Sequence, residues 1–303
     1  MKRALYILIG FVFSTAVTFA QDYQTAFTEL QQQFEQRSPA TINHLKQYLK
    51  DYPYTPYSDE ILLMEGVLQT EKGKYKQAIK LFNQVKSKNL SRQTQPMWYF
   101  YMGYAYIQQQ EYDQALPLFL TLTKHQTLYT PHAHYYAGYC YYCKQDFPHA
   151  MAEFLAVESL GGYKQIAPYY IVQIYYAQHE YDQIYDRAEK LLTDFPDNPH
   201  NDELHRMLGE IYYQDSAYNE AINHLQTYRT LRLEQKQEPL RNDLYLLGMA
   251  NYSAGYYANA IDYLKEGKEQ QDSISENTYL HLGHSYLRVG DEEKAKLSYA
   301  AAM

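Results

Sequence analysis

Residues 98–123 read WYFYMGYAYIQQQEYDQALPLFLTLT. Tyr99, Met102, Gly103 and Tyr106 fall on one helical stripe, and Leu116, Phe119, Leu120 and Thr123 fall on another. Glu111-Tyr112-Asp113 interrupts the pattern between them, as a turn does. The spacing predicts two helices joined by a short turn. A glycine inside a helix costs about 1 kcal/mol against alanine. Gly103 therefore needs compensation, which close approach of the second helix would supply.

The same arrangement recurs along the chain. Gly103 is followed by Tyr112, Ala115 and Phe119, nine, twelve and sixteen residues later. Gly66 is followed by Tyr75, Ala78 and Phe82, and Gly138 by Phe147, Ala150 and Phe154. Gly209 leads to Tyr218, Ala221 and Leu225, and Gly248 to Tyr257, Ala260 and Leu264. Gly283 leads to Glu292, Ala295 and Tyr299, losing the first aromatic. A weaker unit has Val172 in place of the glycine, then Tyr181, Ile184 and Ala188. The anchors lie about 34 to 39 residues apart. An eighth, degenerate unit precedes them, with Glu29 and Thr41 at the Gly and Ala places and Pro53 after it. No unit can bury its apolar face alone, so neighbours must stack. The reading is an all-α solenoid rather than two globular domains.

The glycine, alanine and aromatic positions resemble the tetratricopeptide-repeat (TPR) family, as do Pro53 and Pro196 after their helices. The resemblance covers about residues 22 to 303. It implies about eight antiparallel helical hairpins stacked in a right-handed superhelix. It also implies that the first helix of each hairpin lines a concave groove, through positions three before, one after and four after the anchor. Here those positions hold Leu63, Phe100, Tyr135, Tyr169, Arg206, Tyr245 and Leu280; Val67, Tyr104, Tyr139, Gln173, Glu210, Met249 and His284; and Thr70, Ile107, Tyr142, Tyr176, Tyr213, Tyr252 and Leu287. Nine are tyrosines: Tyr104, Tyr135, Tyr139, Tyr142, Tyr169, Tyr176, Tyr213, Tyr245 and Tyr252. In Tyr141-Tyr142, Tyr175-Tyr176 and Tyr212-Tyr213 the first ring is expected to pack inward and the second to face the groove. Tyrosine offers contact area and a hydrogen bond at low entropic cost. The stripe is a candidate site for an extended or helical partner segment, and mutual packing of the rings is the competing role. The family's carboxylate clamp uses Lys and Asn at groove positions, and none stands there.

Two irregularities interrupt the array. Gly161-Gly162 loosens one connection, and Thr230 to Asn242 is long and charged. The last helix, with Leu297, Tyr299 and Ala300-Ala301-Ala302, leads straight to Met303 without a polar cap. An uncapped array exposes apolar surface, so the expectation is a fragment of a longer array or an end that docks on a partner.

The first twenty residues differ from the rest. Lys2 and Arg3 precede an apolar run from Ala4 to about Val17, and Thr18-Phe19-Ala20 places small residues at −3 and −1 before Gln21-Asp22. That is the pattern of a secretory signal peptide. Residues 1–20 are therefore expected to be removed, leaving the solenoid at 21–303 and no membrane span. Loss of the two cations takes the formal charge from −8 to −10. Nucleic-acid binders carry a basic patch, and none is evident. Two cysteines, Cys140 and Cys143, do not make a disulfide scaffold. The 37 tyrosines let the chain combine 46% hydrophobic residues with a negative mean hydropathy.

No catalytic constellation emerges. Cys140 and Cys143 lie mid-helix, whereas redox pairs of this spacing normally start one. His132, His134 and His149, and His281 with His284, match no zinc spacing. Asn251 stands where a nucleophile elbow needs its first glycine. No phosphate-binding glycine loop is present. The expectation is a non-enzymatic scaffold without cofactor or metal. It is similar to exported, tyrosine-rich TPR proteins of the Gram-negative envelope, periplasmic or outer-membrane-associated, that bind another envelope protein. A carbohydrate-binding module using the same aromatic groove is the alternative.

Overall fold

The computed structural model describes residues 22–267 and 273–303. The expected signal peptide lies outside them. No β-strand occurs among the described residues. The chain divides into two units, residues 1–157 and 158–303, just before Gly161-Gly162. Each is a stack of four helical hairpins. The first contains α1 (22–35) with α2 (Thr41–Asp51), α3 (Ser58–Glu71) with α4 (Tyr75–Phe82), α5 (Thr94–Ile107) with α6 (Tyr112–Thr123), and α7 (Thr130–Cys143) with α8 (Phe147–Leu155). The second contains α9 (Ile166–Ala177) with α10 (Tyr185–Asp194), α11 (Asn201–Gln214) with α12 (Tyr218–Glu234), α13 (Arg241–Ser253) with α14 (Tyr257–Glu266), and α15 (Ser273–Arg288) with α16 (Glu292–Ala301). The chain is thus an all-α solenoid, as the repeat requires.

The anchor glycines sit where two helices meet most closely. A Cβ added at Gly66 would lie 2.4 Å from the Phe82 ring, at Gly103 2.8 Å from Phe119, and at Gly138 3.0 Å from Phe154. At Gly209 and Gly248 it would lie 2.6 Å from Cγ of Leu225 and Leu264, and at Gly283 2.5 Å from the Tyr299 ring. Each glycine faces the residue sixteen places on. At the first five the helix-propensity cost is offset by full burial of that large side chain, about 1.5–3 kcal/mol for a Phe or Leu; Tyr299 is half-buried. α9 solves the same contact with the sizes exchanged: Val172 and Ala188 are both fully buried in one cluster.

The eight turns share one design. The second or third residue after each first helix adopts a left-handed conformation: Arg37, Gly73, Gln110, Gln145, His179, Ser216, Gly255 and Gly290, with φ between 54° and 84°. Its N–H bonds the carbonyl three residues back, and the next N–H reaches five back, as Gln145 to Tyr142 and Asp146 to Tyr141, both 2.9 Å. This is the Schellman closure of a helix. In seven hairpins the left-handed residue lies seven after the anchor. In the first it is Arg37, which moves the anchor phase to Leu30. Leu30 is buried and Glu29 exposed, so the register expected for α1 is one residue early. Thr41 still fills the small buried place, its hydroxyl donating to the Ser38 carbonyl at 2.7 Å, and Leu45 fills the large one.

The long stretch after residue 230 is partly helix, because α12 runs on to Glu234. The loop that follows is held by the buried Tyr228, whose hydroxyl accepts the Leu240 N–H at 3.3 Å.

Candidate functional site

The groove positions form a row on the first helices, and the two units differ in what they place there. In the first unit the row is uncharged: Leu63, Val67, Thr70 and Ile107 are buried, and the other positions are the aromatics Phe100, Tyr104, Tyr135, Tyr139 and Tyr142. Phe100 of α5 lies parallel to Tyr104 at 6.3 Å and to Tyr129 at 5.0 Å. Tyr104 meets Tyr136 of α7 edge-on at 5.5 Å and Tyr75 at 6.3 Å. Tyr135 packs at 5.0 Å from Tyr136 and 6.0 Å from Phe154. Tyr139 meets Tyr112 at 6.1 Å, and Tyr142 meets Phe147 at 6.1 Å. Tyr104, Tyr135, Tyr139 and Tyr142 nevertheless remain half-exposed.

A simple rule underlies these contacts. In four hairpins the aromatic nine after the anchor touches the groove ring four after it: Tyr142–Phe147, Tyr176–Tyr181, Tyr213–Tyr218 and Tyr252–Tyr257, at 5.6 to 6.1 Å. The members of each pair are five residues apart across a tight turn. In Tyr141-Tyr142 and Tyr212-Tyr213 the first ring instead leans on its own second helix. Tyr141 stacks on His149 at 5.0 Å, and Tyr212 stacks on His224 at 5.3 Å. The mutual packing weighed for the stripe is therefore present, and Tyr104, Tyr135, Tyr139 and Tyr142 keep part of their surface exposed.

In the second unit the row is mixed. Tyr169 is buried, stacked on His200 at 4.2 Å and accepting from Gln173 Nε2 at 2.9 Å, so it offers little surface. The Tyr176 hydroxyl donates to Glu210 Oε2. Burial, with the Glu210 carboxylate beside it, pushes its pKa up to about 12. Arg206 lies over the Tyr176 ring at 5.6 Å, donates through Nε to Glu203 at 3.0 Å, and stands 3.6 Å from Glu210. Tyr213, Tyr245 and Tyr252 are half-exposed, and Tyr245 and Tyr252 both flank the His281 ring. An open cleft of about 660 Å³ lies here, lined by Arg206, Glu210, Tyr213, Arg241, Asp243 and Tyr245 among others. Four of these are groove positions read from the sequence.

The sequence reading missed Asp243. It sits in the first turn of α13, only 9% exposed, and burial raises its carboxyl pKa although the Tyr228 hydroxyl bonds it. The available signal was a carboxylate two residues before Tyr245, on the approach to an apolar stripe.

The cysteines lie inside α7, and Cys140 is fully buried, its thiol pKa pushed up to about 12 by burial. Trp98 is spent on packing, its Nε1 donating to the Phe82 carbonyl at 3.1 Å. Among the described residues no three His, Cys, Asp or Glu side chains converge as metal ligands, and no helix is long and apolar enough to cross a membrane.

Comparison with known proteins agrees with the geometry. The family model Iml2/Tetratricopeptide repeat protein 39 matches residues 2–157, and a tetratricopeptide-repeat model matches residues 276–303. No curated protein matches the chain. Among solved structures, a tetratricopeptide repeat protein from Parabacteroides merdae is 16% identical, with a TM-score of 0.53, covering 88% of this chain and 99% of that one. The C-terminal part of a TPR repeat-containing protein from Cytophaga hutchinsonii is 16% identical, with a TM-score of 0.60, covering 79% and 93%. The apo form of RapI is 14% identical, with a TM-score of 0.56, covering 93% and 85%. At these identities the structures speak for the fold alone. With the family model spanning more than half of the chain and the repeat geometry present in both units, the chain belongs to the tetratricopeptide-repeat family.

Proposed function

We propose that this protein is a non-enzymatic scaffold that binds a segment of a partner protein along the groove rows of its first helices. The observation that carries the reading is the cleft at Arg206, Glu210, Tyr213 and Tyr245, where side chains chosen by repeat position alone border one open space. The pinned tyrosines add preorganisation. A ring already held by a neighbour loses little freedom when a partner docks on its exposed face. Family membership supports protein partners in general.

We further propose that the chain is exported, through the basic start and apolar run of residues 1–20, and acts in the cell envelope on another envelope protein. The charge pattern supports this only in so far as it argues against nucleic acid.

The test is partner capture from an envelope extract by the mature chain and by a variant with Tyr139, Tyr142, Tyr176 and Tyr213 changed to Ala. Circular dichroism on both establishes that the helices survive. Loss of one captured protein from a folded variant supports the reading. Equal capture by both places the interface elsewhere, and retention of glycan alone favours a carbohydrate-binding role.

A further inference from the structure

We propose that one edge of the 1–157 unit docks on the surface of an anionic lipid membrane. The edge is made by the three loops that join the hairpins of this unit, residues 52–57, 83–93 and 124–129. It contains none of the groove positions, and the proposal does not rest on the groove reading.

In a stack of antiparallel hairpins the tight turns fall at one edge and the connections between hairpins at the other. Here the connections are also tied together. The buried Asp59, just after the first loop, accepts the Lys86 N–H at 2.8 Å and Asn89 Nδ2 at 2.7 Å from the second. The second and third loops border one open cleft of about 360 Å³, lined by Arg92, Gln95, Tyr99, Thr121, His125 and Thr127 among others, with no carboxylate. The three loops carry Lys86, Lys88, Arg92 and Lys124 and no Asp or Glu, in a chain whose formal charge is −8. All four cations are exposed, and none enters an ion pair among the described residues. At the opposite edge Arg37 pairs with Glu71 and Lys144 with Asp113. The accessible carboxylates that flank the loops, Asp51 and Glu60, are matched by Lys50 and Lys80 in the last turns of α2 and α4. The sequence hides this patch, because Lys124 lies a whole hairpin after Arg92.

The exposed apolar side chains of the unit gather at the same edge. Tyr54 is 97% exposed and Leu128 91% exposed, each in one of these loops, and Leu155, the last residue of α8, is 43% exposed. Among the described residues of this unit no other large apolar side chain is so exposed. A single exposed leucine is ordinary. Three at one edge, beside four unpaired cations, match what a membrane surface offers. Protruding apolar groups enter the boundary between headgroups and acyl chains, and cations beside them meet the anionic headgroups. On this account Tyr54 and Leu128 meet lipid rather than protein. A nucleic acid would satisfy the cations and leave Leu128 without an apolar layer.

The apolar run within residues 1–20 would itself bind lipid, so the test uses residues 21–303, which hold every described helix. This chain is sedimented with vesicles of phosphatidylcholine alone or mixed with phosphatidylglycerol. The proposal predicts binding to the mixed vesicles only, weakening as added salt shortens the screening length. Changing Lys86, Lys88, Arg92 and Lys124 to Gln should lower affinity by about fivefold for each cation removed. Leu128→Ser, with the cations intact, should lower it by about tenfold. Lys72→Gln with Lys74→Gln, at the opposite edge, should change little. Circular dichroism establishes that each variant is folded. Fluorescence of the Leu128→Trp chain should be quenched by brominated acyl chains, where that of the parent, with Trp98 alone, is not. Equal binding to uncharged vesicles, binding to neither kind, or full affinity of the folded fourfold variant would overturn the proposal. So would equal losses from the opposite edge, or tighter binding of a DNA oligonucleotide than of the mixed vesicles. Each of these outcomes leaves the groove reading untouched.

Discussion

At Gly209 two opposing effects can be weighed directly. Alanine is better than glycine in a helix by about 1 kcal/mol. Its Cβ, however, would sit 2.6 Å from Leu225 Cγ, in a fully packed contact with the Leu225 backbone nitrogen only 3.3 Å away. Overpacking of this kind costs about 1–3 kcal/mol, so Gly209→Ala should lower stability in urea unfolding. Gly209→Val should lose more. Adding Leu225→Ala should recover much of that loss, because it rebuilds the Val172–Ala188 arrangement of α9. A double variant no better than Gly209→Val would contradict the size-exchange account. Most of this was legible in the sequence, since a glycine and a bulky residue recurring sixteen apart imply a contact. The exchanged pair in α9 was visible only as a weak repeat, because its sizes reverse.

At the element scale the turns are the shared feature, and the sequence showed that they occur but not which residue turns left-handed. Gln110, Gln145, His179 and Ser216 hold the same left-handed conformation as Gly73, Gly255 and Gly290. Side chains with a Cβ lose about 1–2 kcal/mol there. Gln145→Gly should therefore stabilise the chain by about 1 kcal/mol, and Gln110→Gly likewise. A higher urea midpoint with unchanged slope would show it, and a lower midpoint would mean that the glutamine side chain contributes more than its strain costs. The same turn explains the misread register of α1. The turn residue in that hairpin is Arg37, whose guanidinium donates to Glu71 at 2.9 Å. Nothing in the local sequence marks it as left-handed. The groove tyrosines were legible by position. Their pairing with the aromatic five residues on was not, because it depends on how tightly the turn closes.

At the scale of the whole molecule, tyrosine dominates the chemistry, with 37 in the chain. Burial raises the pKa of Tyr101, Tyr163, Tyr176 and Tyr228 to about 12. An unfolded tyrosine titrates near pH 10. The folded state then holds these protons more tightly, so the stability they contribute is intact below about pH 10 and is lost as pH rises toward about 12. Ultraviolet titration should show one set of tyrosines ionising near pH 10 and a late set whose ionisation coincides with loss of the helical signal. A single transition near pH 10 with the helices intact would contradict the burial described here. Cys140 should likewise resist alkylation at neutral pH until the chain unfolds, as mass spectrometry of labelled peptides would report.

The claim that the first-helix rows receive a partner is tested most directly by site-specific photo-crosslinking in cells that make the protein. A photoreactive phenylalanine analogue would replace Tyr139, Tyr142, Tyr176 or Tyr213 in turn, with the fully exposed loop residue Tyr54 as control. The account predicts one common adduct from the row positions and none from Tyr54. An adduct from Tyr54 with the row positions silent would contradict it.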